Sequence, residues 1–392
     1  MPQNPIFSRR LATFWTTCLL CMSLMACATA RPPVASNKPT AEAAPREKIE
    51  LESQKITATP DPALGTQIFG GEDLFFEGQR RYDQQDYEGA LGLYRRVASE
   101  FPDTRYLAPA LLMEARVLLE LKRPAEAIPP YGVYLSRYPQ GRQRTLAYSG
   151  LAEAHLALSQ WTDAERAYQS LRELPGLSST WRDYADAGVA RAQVEQGNLE
   201  PSEPVLKALA EKYPPSARDR EGDVDVRELG AIARLFLGEV HRRRAELIIL
   251  TETIDLSRTA DQLNRKSQLV LDAHHQYYRT FSYSVPEYTS MAAYRMGYLY
   301  ERFYADLMAA PPPPGLDAED QALYREMLDK ELDSVVRQAY ELYGQVLRHA
   351  ERLELKGEWV EACRQGIARL EERMELSRAH SATKPKGAPS PR

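Results

Sequence analysis

Apolar positions recur at helical spacing through most of the chain between residues 71 and 376. In the stretch VDVRELGAIARLFLGEV, which begins at Val224, apolar side chains return every three or four positions and so share one face of a helix. This pattern predicts one long helix over 224–251 and a second over 257–280. Many prolines stand near the two ends of the chain or between such segments, where proline punctuates helices. The pattern as a whole predicts an all-α fold.

A repeat of about 37 residues runs through residues 71–215. Each unit has a small residue in a first helix and another small residue in a second helix. The first set is Gly78, Ala115, Ala152 and Ala190, and the second set is Ala90, Ala127, Ala164 and Ser202. A bulky residue follows the second set at Tyr94, Tyr131, Tyr168 and Leu206, and a proline ends the unit at Pro102, Pro139, Pro175 and Pro214. Two antiparallel helices approach closely only where small side chains meet, and proline cannot continue a helix.

These positions resemble the tetratricopeptide repeat (TPR), whose usual period is about 34 residues. The resemblance implies a superhelix of helical hairpins with four clear repeats over 71–215. The phrases FPDTRYLAPALLMEARVLLEL and RYPQGRQRTLAYSGLAEAHLAL are also similar to TPR lipoproteins of the bacterial envelope. These include the BamD type, which serves outer-membrane protein assembly, and a periplasmic type linked to the Tol-Pal system.

Residues 216–376 form a divergent, TPR-like helical domain in this interpretation. Met296-Gly297…Tyr300 resembles a first TPR helix, and the second helix resumes near Val335 after an inserted segment. Asp317 is predicted to cap the inserted helix. A final helix, Glu358–Leu376, would cap the solenoid. The series of segments over 288–376 also resembles the C-terminal part of large TPR proteins of adventurous gliding motility machinery, which includes an outer-membrane TPR lipoprotein.

The first 26 residues are predicted to be a lipoprotein signal peptide. Arg9 and Arg10 precede a mostly apolar stretch of 16 residues, which is typical of a secretory signal and short for a membrane span. Leu24-Met25-Ala26-Cys27 resembles the bacterial lipobox. The resemblance implies cleavage between Ala26 and Cys27, followed by diacylglyceryl transfer to the Cys27 thiol and acylation of the new amine, with palmitate as a typical acyl chain. An ordinary signal peptide and an uncleaved anchor are the alternatives.

Ala28 follows the lipidated position, and by the sorting rule of enteric lipoproteins it indicates the outer membrane with the domain facing the periplasm; the inner membrane is the alternative. Residues 27–70 are rich in Ala, Pro, Thr and Glu and have no aromatic residue before Phe69. This composition predicts the lipidated cysteine followed by a flexible linker. Residues 377–392 are predicted to be a disordered tail.

The chemistry of the chain favours binding over catalysis. The formal net charge is -5, which does not suggest nucleic-acid binding. Adjacent histidines such as His274 and His275 diverge on a helix, so no metal site is predicted. No catalytic residue, cofactor or small-molecule substrate is expected. Cys363 is predicted to be a small buried apolar residue.

Tyrosines are concentrated between residues 277 and 304. Because tyrosine is enriched at interfaces, the candidate partner-binding residues are Tyr277, Tyr278, Tyr288, Tyr294, Tyr298 and Tyr304. Packing between helices is the alternative for each of them. The run Arg242-Arg243-Arg244 is interpreted as a solvated face, with contact to anionic groups as the alternative.

The functional hypothesis is a membrane-anchored TPR scaffold for other envelope proteins, in gliding motility machinery. One alternative is a factor for outer-membrane protein assembly or the Tol-Pal system. Another is a subunit of cell-wall or polysaccharide machinery. Partner identity, the residues of the groove in use and the oligomeric state are not fixed by the sequence.

Overall fold

The computed structural model describes residues 54–58, 66–217, 224–251, 256–352 and 357–383. The predicted signal peptide, the lipidation site Cys27 and most of the predicted linker lie outside these residues. None of the described helices is both long and apolar enough to cross a bilayer.

A two-stranded antiparallel hairpin precedes the helices and corrects the prediction of a linker reaching residue 70. Strand β1 is Gln54–Ala58 and strand β2 is Thr66–Gly70, with Ile56 opposite Ile68. Phe69 packs edge-on against Phe101 at 6.1 Å between ring centroids. Phe69 thus gives β2 an apolar contact with the helices, which the average composition of the segment does not reveal.

The next eight helices pair into four antiparallel hairpins. Their bounds are α1 Gly71–Asp83, α2 Tyr87–Glu100, α3 Leu107–Glu120, α4 Pro124–Arg137, α5 Arg144–Ala157, α6 Trp161–Arg172, α7 Ser179–Glu195 and α8 Leu199–Lys212. The small residues of the repeat are buried where the two helices of each hairpin meet, as at Ala152 and Ala164, which are both 0% exposed. The predicted repeat is therefore confirmed as four tetratricopeptide hairpins.

The turn within each of these hairpins contains one residue with a left-handed backbone. These residues are Gln85, Lys122, Ser159 and Gly197, with φ between 57° and 86°. They recur at the repeat spacing, so one turn geometry is used four times. Only the fourth turn uses glycine, the residue that adopts this conformation without a steric cost.

The second half continues the superhelix with two longer hairpins. Its helices are α9 Val226–Leu247, α10 Leu256–Thr280, α11 Pro286–Ala309, α12 Ala318–Glu331, α13 Asp333–Arg352 and α14 Glu358–Thr383. Helices α9 and α10 form the fifth hairpin, and α11 pairs with α13 to form the sixth. Asp317 caps α12 as predicted, because its side chain accepts from the backbone N–H groups of Glu319 and Asp320.

The inserted helix α12 has no buried residue, so it lies outside the core. One boundary in this half differs from the sequence prediction. Helix α14 extends to Thr383, seven residues beyond the predicted boundary at Leu376. Charged and small residues such as Arg378 and Ala379 are compatible with a helix, and the predicted tail boundary relied on composition alone.

The first helices of successive hairpins contact one another, in the order α1, α3, α5, α7, α9 and α11. In the described part of the chain, the second helices form no equivalent row of contacts. The stack is therefore tighter on the side of the first helices, which form the concave inner surface of the superhelix.

Candidate protein-binding surface

A row of polar side chains runs along the inner surface, one from each of the first four hairpins. Each residue directly follows the small residue of its first helix. The members of this inner row are Gln79, Arg116, Glu153 and Arg191. Gln79, Glu153 and Arg191 are half-buried and Arg116 is exposed. The row alternates in charge from Arg116 through Glu153 to Arg191.

Glu153 connects three helices at the centre of the row. Its Oε1 atom accepts hydrogen bonds from Tyr168 Oη at 2.6 Å and from Tyr184 Oη at 2.8 Å. Burial, together with the negative charge of Glu153, raises the pKa of both tyrosines well above their ordinary value. The two hydroxyls therefore stay protonated and hold the carboxylate in one orientation.

Arg191 extends the row towards the second half of the molecule. Its guanidinium lies over the ring of Phe236 in α9, 5.3 Å from the centroid. Burial lowers the pKa of Arg191, but nearby Tyr288 and Glu153 outweigh this effect and raise it overall. A permanent cation thus stands on the inner surface beside an aromatic ring.

The start of α11 closes the inner surface at its far end. Tyr288 Oη donates to Glu228 Oε1 of α9 at 3.3 Å. Burial raises the pKa of Glu228, and the negative charge of Glu153 raises it further. The accessible part of the inner surface consequently lies towards the first three hairpins, around Arg116 and Glu153.

The six predicted tyrosines do not form one surface. Tyr277 and Tyr288 are 0% and 3% exposed, which corrects the prediction that they bind a partner. Tyr278 is 62% exposed and remains available. Tyr294, Tyr298 and Tyr304 are half-buried. The reason is that all of these rings except Tyr278 pack between helices.

Tyr277 belongs to a buried charge cluster between α9, α10 and α11. Its hydroxyl donates to Glu239 Oε1 at 2.5 Å, and the other oxygen of Glu239 pairs with Arg242 at 2.7 Å. Arg295 Nε lies 3.4 Å from Glu239 Oε1. Arg242 also lies over the ring of Tyr298. The cluster joins the fifth hairpin to the sixth.

The arginine run is not a solvated face, contrary to the sequence interpretation. Arg242 is buried in the cluster just described, Arg243 pairs with Glu195 of α7, and Arg244 pairs with Glu203 of α8. The run therefore ties α9 to the fourth hairpin. Sequence periodicity missed this role because acidic partners come from helices far away in the sequence.

The remaining half-buried tyrosines hold the end of the superhelix. Tyr294 packs against Trp359 of α14, with ring centroids 5.5 Å apart. Tyr304 Oη donates to Asp329 of α12 at 2.7 Å, and Arg373 of α14 lies over the Tyr304 ring at 3.6 Å. These contacts favour inter-helix packing over partner binding at Tyr294 and Tyr304.

The histidine pair and the cysteine have structural surroundings. His274 Nδ1 lies 3.1 Å from Tyr300 Oη, and burial lowers the pKa of His274. Cys363 is fully buried, as predicted, and burial raises the pKa of its thiol to about 12. Among the residues that the structure describes, no cluster of three His, Cys, Asp or Glu side chains could hold a metal ion.

The inner row was missed by sequence reasoning, although the repeat contained the signal. Arg116, Glu153 and Arg191 directly follow Ala115, Ala152 and Ala190, so the repeat alignment places all three on one face. Chemically, alternating charges beside tyrosine hydroxyls can bind a peptide segment that carries both charged and polar side chains.

No family model matches the chain, and no curated protein matches it in sequence. Among solved structures, it is similar to a tetratricopeptide repeat protein from Parabacteroides merdae, with 13% identity, a TM-score of 0.39, and coverage of 77% of this chain and 98% of that one. A TPR protein from Bacteroides fragilis has 14% identity and a TM-score of 0.27, with coverage of 67% and 98%. The TPR domain of P58(IPK) has 14% identity and a TM-score of 0.26, with coverage of 78% and 99%.

At these identities the likeness concerns the fold alone, and the fold assignment follows from the hairpins themselves. The chain is an all-α tetratricopeptide superhelix. This fold is a protein-interaction module, because stacked hairpins create an extended surface on which a partner can lie.

Proposed function

We propose that this chain is a lipid-anchored scaffold of a bacterial envelope that holds partner proteins on its inner surface. The observation that carries the proposal is the alternating row of Arg116, Glu153 and Arg191 on the concave side of the first helices. The carboxylate of Glu153 is held by Tyr168 and Tyr184, and the guanidinium of Arg191 lies over the ring of Phe236. Such a preorganised surface suits an extended or helical segment of a partner.

Anchoring through Cys27 is the second part of the proposal. It is supported by the Leu24-Met25-Ala26-Cys27 motif after a short apolar stretch. Several acyl chains would give stable attachment where one chain is marginal. Attachment at the periplasmic side of the outer membrane would confine the scaffold near membrane-bound partners and so raise their effective concentration.

Gliding motility machinery is the envelope complex that we propose. Support comes from the resemblance over residues 288–376, where an aromatic helix, a proline-rich turn, an acidic helix and a final helix follow in that order. In this role the chain would link motility proteins without catalysing a reaction. Deletion of the gene in a gliding host is then expected to impair movement while β-barrel proteins stay at normal levels in the outer membrane.

The test is affinity capture from detergent-solubilised envelopes with the full chain and with Cys27→Ala. We expect motility proteins with the full chain and their loss with Cys27→Ala, which should also leave the membrane fraction. Capture of β-barrel assembly components instead would replace the gliding role with outer-membrane protein assembly. An unchanged partner set with Cys27→Ala would contradict anchoring as the organising step.

A further inference from the structure

A cavity of about 450 Å³ lies between two turns that join successive hairpins, and no residue of the inner row lines it. One wall is the turn between α4 and α5 with the start of α5, and the other is the turn between α6 and α7 with Trp181 at the start of α7. The lining includes the polar residues Gln140, Thr145 and Ser178 and the apolar residues Leu174, Leu177 and Trp181. The repeat brings equivalent corners of two successive hairpins together at this point.

The charge of this cavity is positive and uncompensated. Arg142 and Arg144 line it, and no acidic residue does. Within the described residues neither arginine has an ion pair, and the buried Nε–H of Arg144 has no hydrogen-bond acceptor. By contrast, Arg137 and Arg172 on the helices that lead into the loops pair with Asp103 and Asp186. Arg142 is exposed and Arg144 is half-buried, and charge-assisted hydrogen bonds from their guanidinium groups would stabilise an anion here.

The local backbone adds to the positive potential of the arginines. Helix α5 begins at Arg144, and its N-cap residue Gln143 makes no side-chain capping hydrogen bond. Helix α7 begins at Ser179, and its N-cap residue Ser178, which lines the cavity, accepts a hydrogen bond from the backbone N–H of Trp181. The first turns of both helices therefore border the cavity, and helix N-termini favour negative charge.

We infer that this cavity binds a phosphate group through Arg142 and Arg144. Arginine forks match the oxygen geometry of phosphate, and two arginines balance a doubly charged phosphate better than a single carboxylate charge. The phosphate is carried either by a small soluble ester or by a phospholipid headgroup, and the two sources share the same recognition chemistry. The site does not depend on the inner row or on Cys27.

The test uses the full chain in the Cys27→Ala background, so that no lipid anchor contributes. Inorganic phosphate is titrated calorimetrically in low salt against this protein, against Arg142→Gln/Arg144→Gln, and against Arg265→Gln/Arg279→Gln. Arg265 and Arg279 are exposed on α10, and the control pair removes the same net charge. We expect saturable phosphate binding that Arg142→Gln/Arg144→Gln weakens at least about tenfold, because a charge-assisted hydrogen bond contributes on that scale. The control variant should bind phosphate as tightly as the unsubstituted arginines do. Thermal unfolding of each variant shows that the fold is kept.

Vesicles distinguish the two sources of phosphate. Co-sedimentation with vesicles of phosphatidylcholine and phosphatidic acid, lost in Arg142→Gln/Arg144→Gln, identifies a lipid headgroup. Phosphate binding without vesicle binding identifies a soluble ester. The inference is overturned if phosphate does not saturate, if both double variants lose it equally, or if only a glutamate-rich peptide binds.

Discussion

Tyrosine rings that lie on glycines set the spacing between helices in this molecule. The ring of Tyr168 packs against Gly188 of the next hairpin, where an added Cβ would lie 2.5 Å from three ring atoms. Tyr343 is held in the same way between Gly297 and Gly366. These rings are buried and cannot shift, so a residue with a Cβ does not fit at these positions. Glycine is required there by the close approach of the ring and not by its backbone conformation.

Gly188→Ala is expected to destabilise the fold by about 1–3 kcal/mol, the usual cost of overpacking a tight contact. Gly132→Ala is the matched control, since Gly132 is also within a helix but has nothing within 4 Å of an added Cβ. It should stabilise by about 0.5–1 kcal/mol through helix propensity. Urea denaturation of both variants checks the contrast, and equal effects would argue against the packing explanation.

Glu239 is the residue on which the buried charge cluster depends. Glu239→Gln leaves Arg242 and Arg295 without their shared carboxylate, and removal of one partner of a buried pair costs about 3–5 kcal/mol. Glu361→Gln, which removes the exposed ion pair with Arg364, should cost less than about 1 kcal/mol. Denaturation midpoints give both values. A loss from Glu239→Gln as small as that from Glu361→Gln would contradict the proposed role of the cluster.

The same carboxylate makes stability depend on pH. Burial alone would raise the pKa of Glu239, but Arg295, Arg242 and the Tyr277 hydroxyl lower it to about 2. In the unfolded chain the pKa of a glutamate is about 4.3. The stabilisation by Glu239 is therefore complete above that pH and is lost as the pH falls from there towards 2. Denaturation between pH 6 and pH 3 should show a steeper loss for the natural chain than for Glu239→Gln. Parallel slopes would show that Glu239 is not responsible.

The sequence shows that tyrosines are concentrated between residues 277 and 304, but it does not show which of them are buried. Tyr277 and Tyr278 are adjacent, and the helix turns one into the core and the other into solvent. A count of tyrosines cannot separate the two, because their burial depends on which face of α10 meets α9. Cys363 was predictable, since an apolar helical pattern surrounds it.

At the scale of elements, three of the four left-handed turns use a residue other than glycine, and this lowers the stability of the fold. Non-glycine residues in this conformation are disfavoured by about 1–2 kcal/mol. Lys122→Gly is therefore expected to raise the free energy of unfolding by about 0.5–1 kcal/mol after the added entropy of the unfolded chain is subtracted. Gly197→Ala, the reciprocal change, should lower it by about 1 kcal/mol. Thermal melts of the two variants should shift in opposite directions, and shifts of the same sign would contradict this account.

Most helices could be predicted because small residues and prolines recur with the hairpins. The start of α11 at Pro286 and the cap of α12 at Asp317 follow from local residue chemistry. The strands β1 and β2 were not predicted, because the composition of the segment does not reveal contacts such as that of Phe69 with Phe101, which is far away in the sequence. The left-handed turns were also missed, since Gln85, Lys122 and Ser159 are not the residues that usually mark such a turn.

At the scale of the whole molecule, the stacking of the first helices places the inner row on one surface. First helices that touch one another bring Arg116, Glu153 and Arg191 into one continuous line, although they are about 37 residues apart in the sequence. Glu153 also joins three helices through Tyr168 and Tyr184, whereas Arg116 is exposed, so packing does not explain all of these charges. A partner-binding surface is the account of them that we propose.

Site-specific photo-cross-linking is the measurement that tests this claim most directly. A photoreactive amino acid replaces Arg116 on the inner surface, and in a control it replaces Arg166, which is exposed on the second helix α6. After irradiation of intact cells, we expect a discrete adduct with one envelope protein at position 116 and none at position 166. An adduct at position 166 alone, or at neither position while capture of that protein persists, would contradict binding on the inner surface.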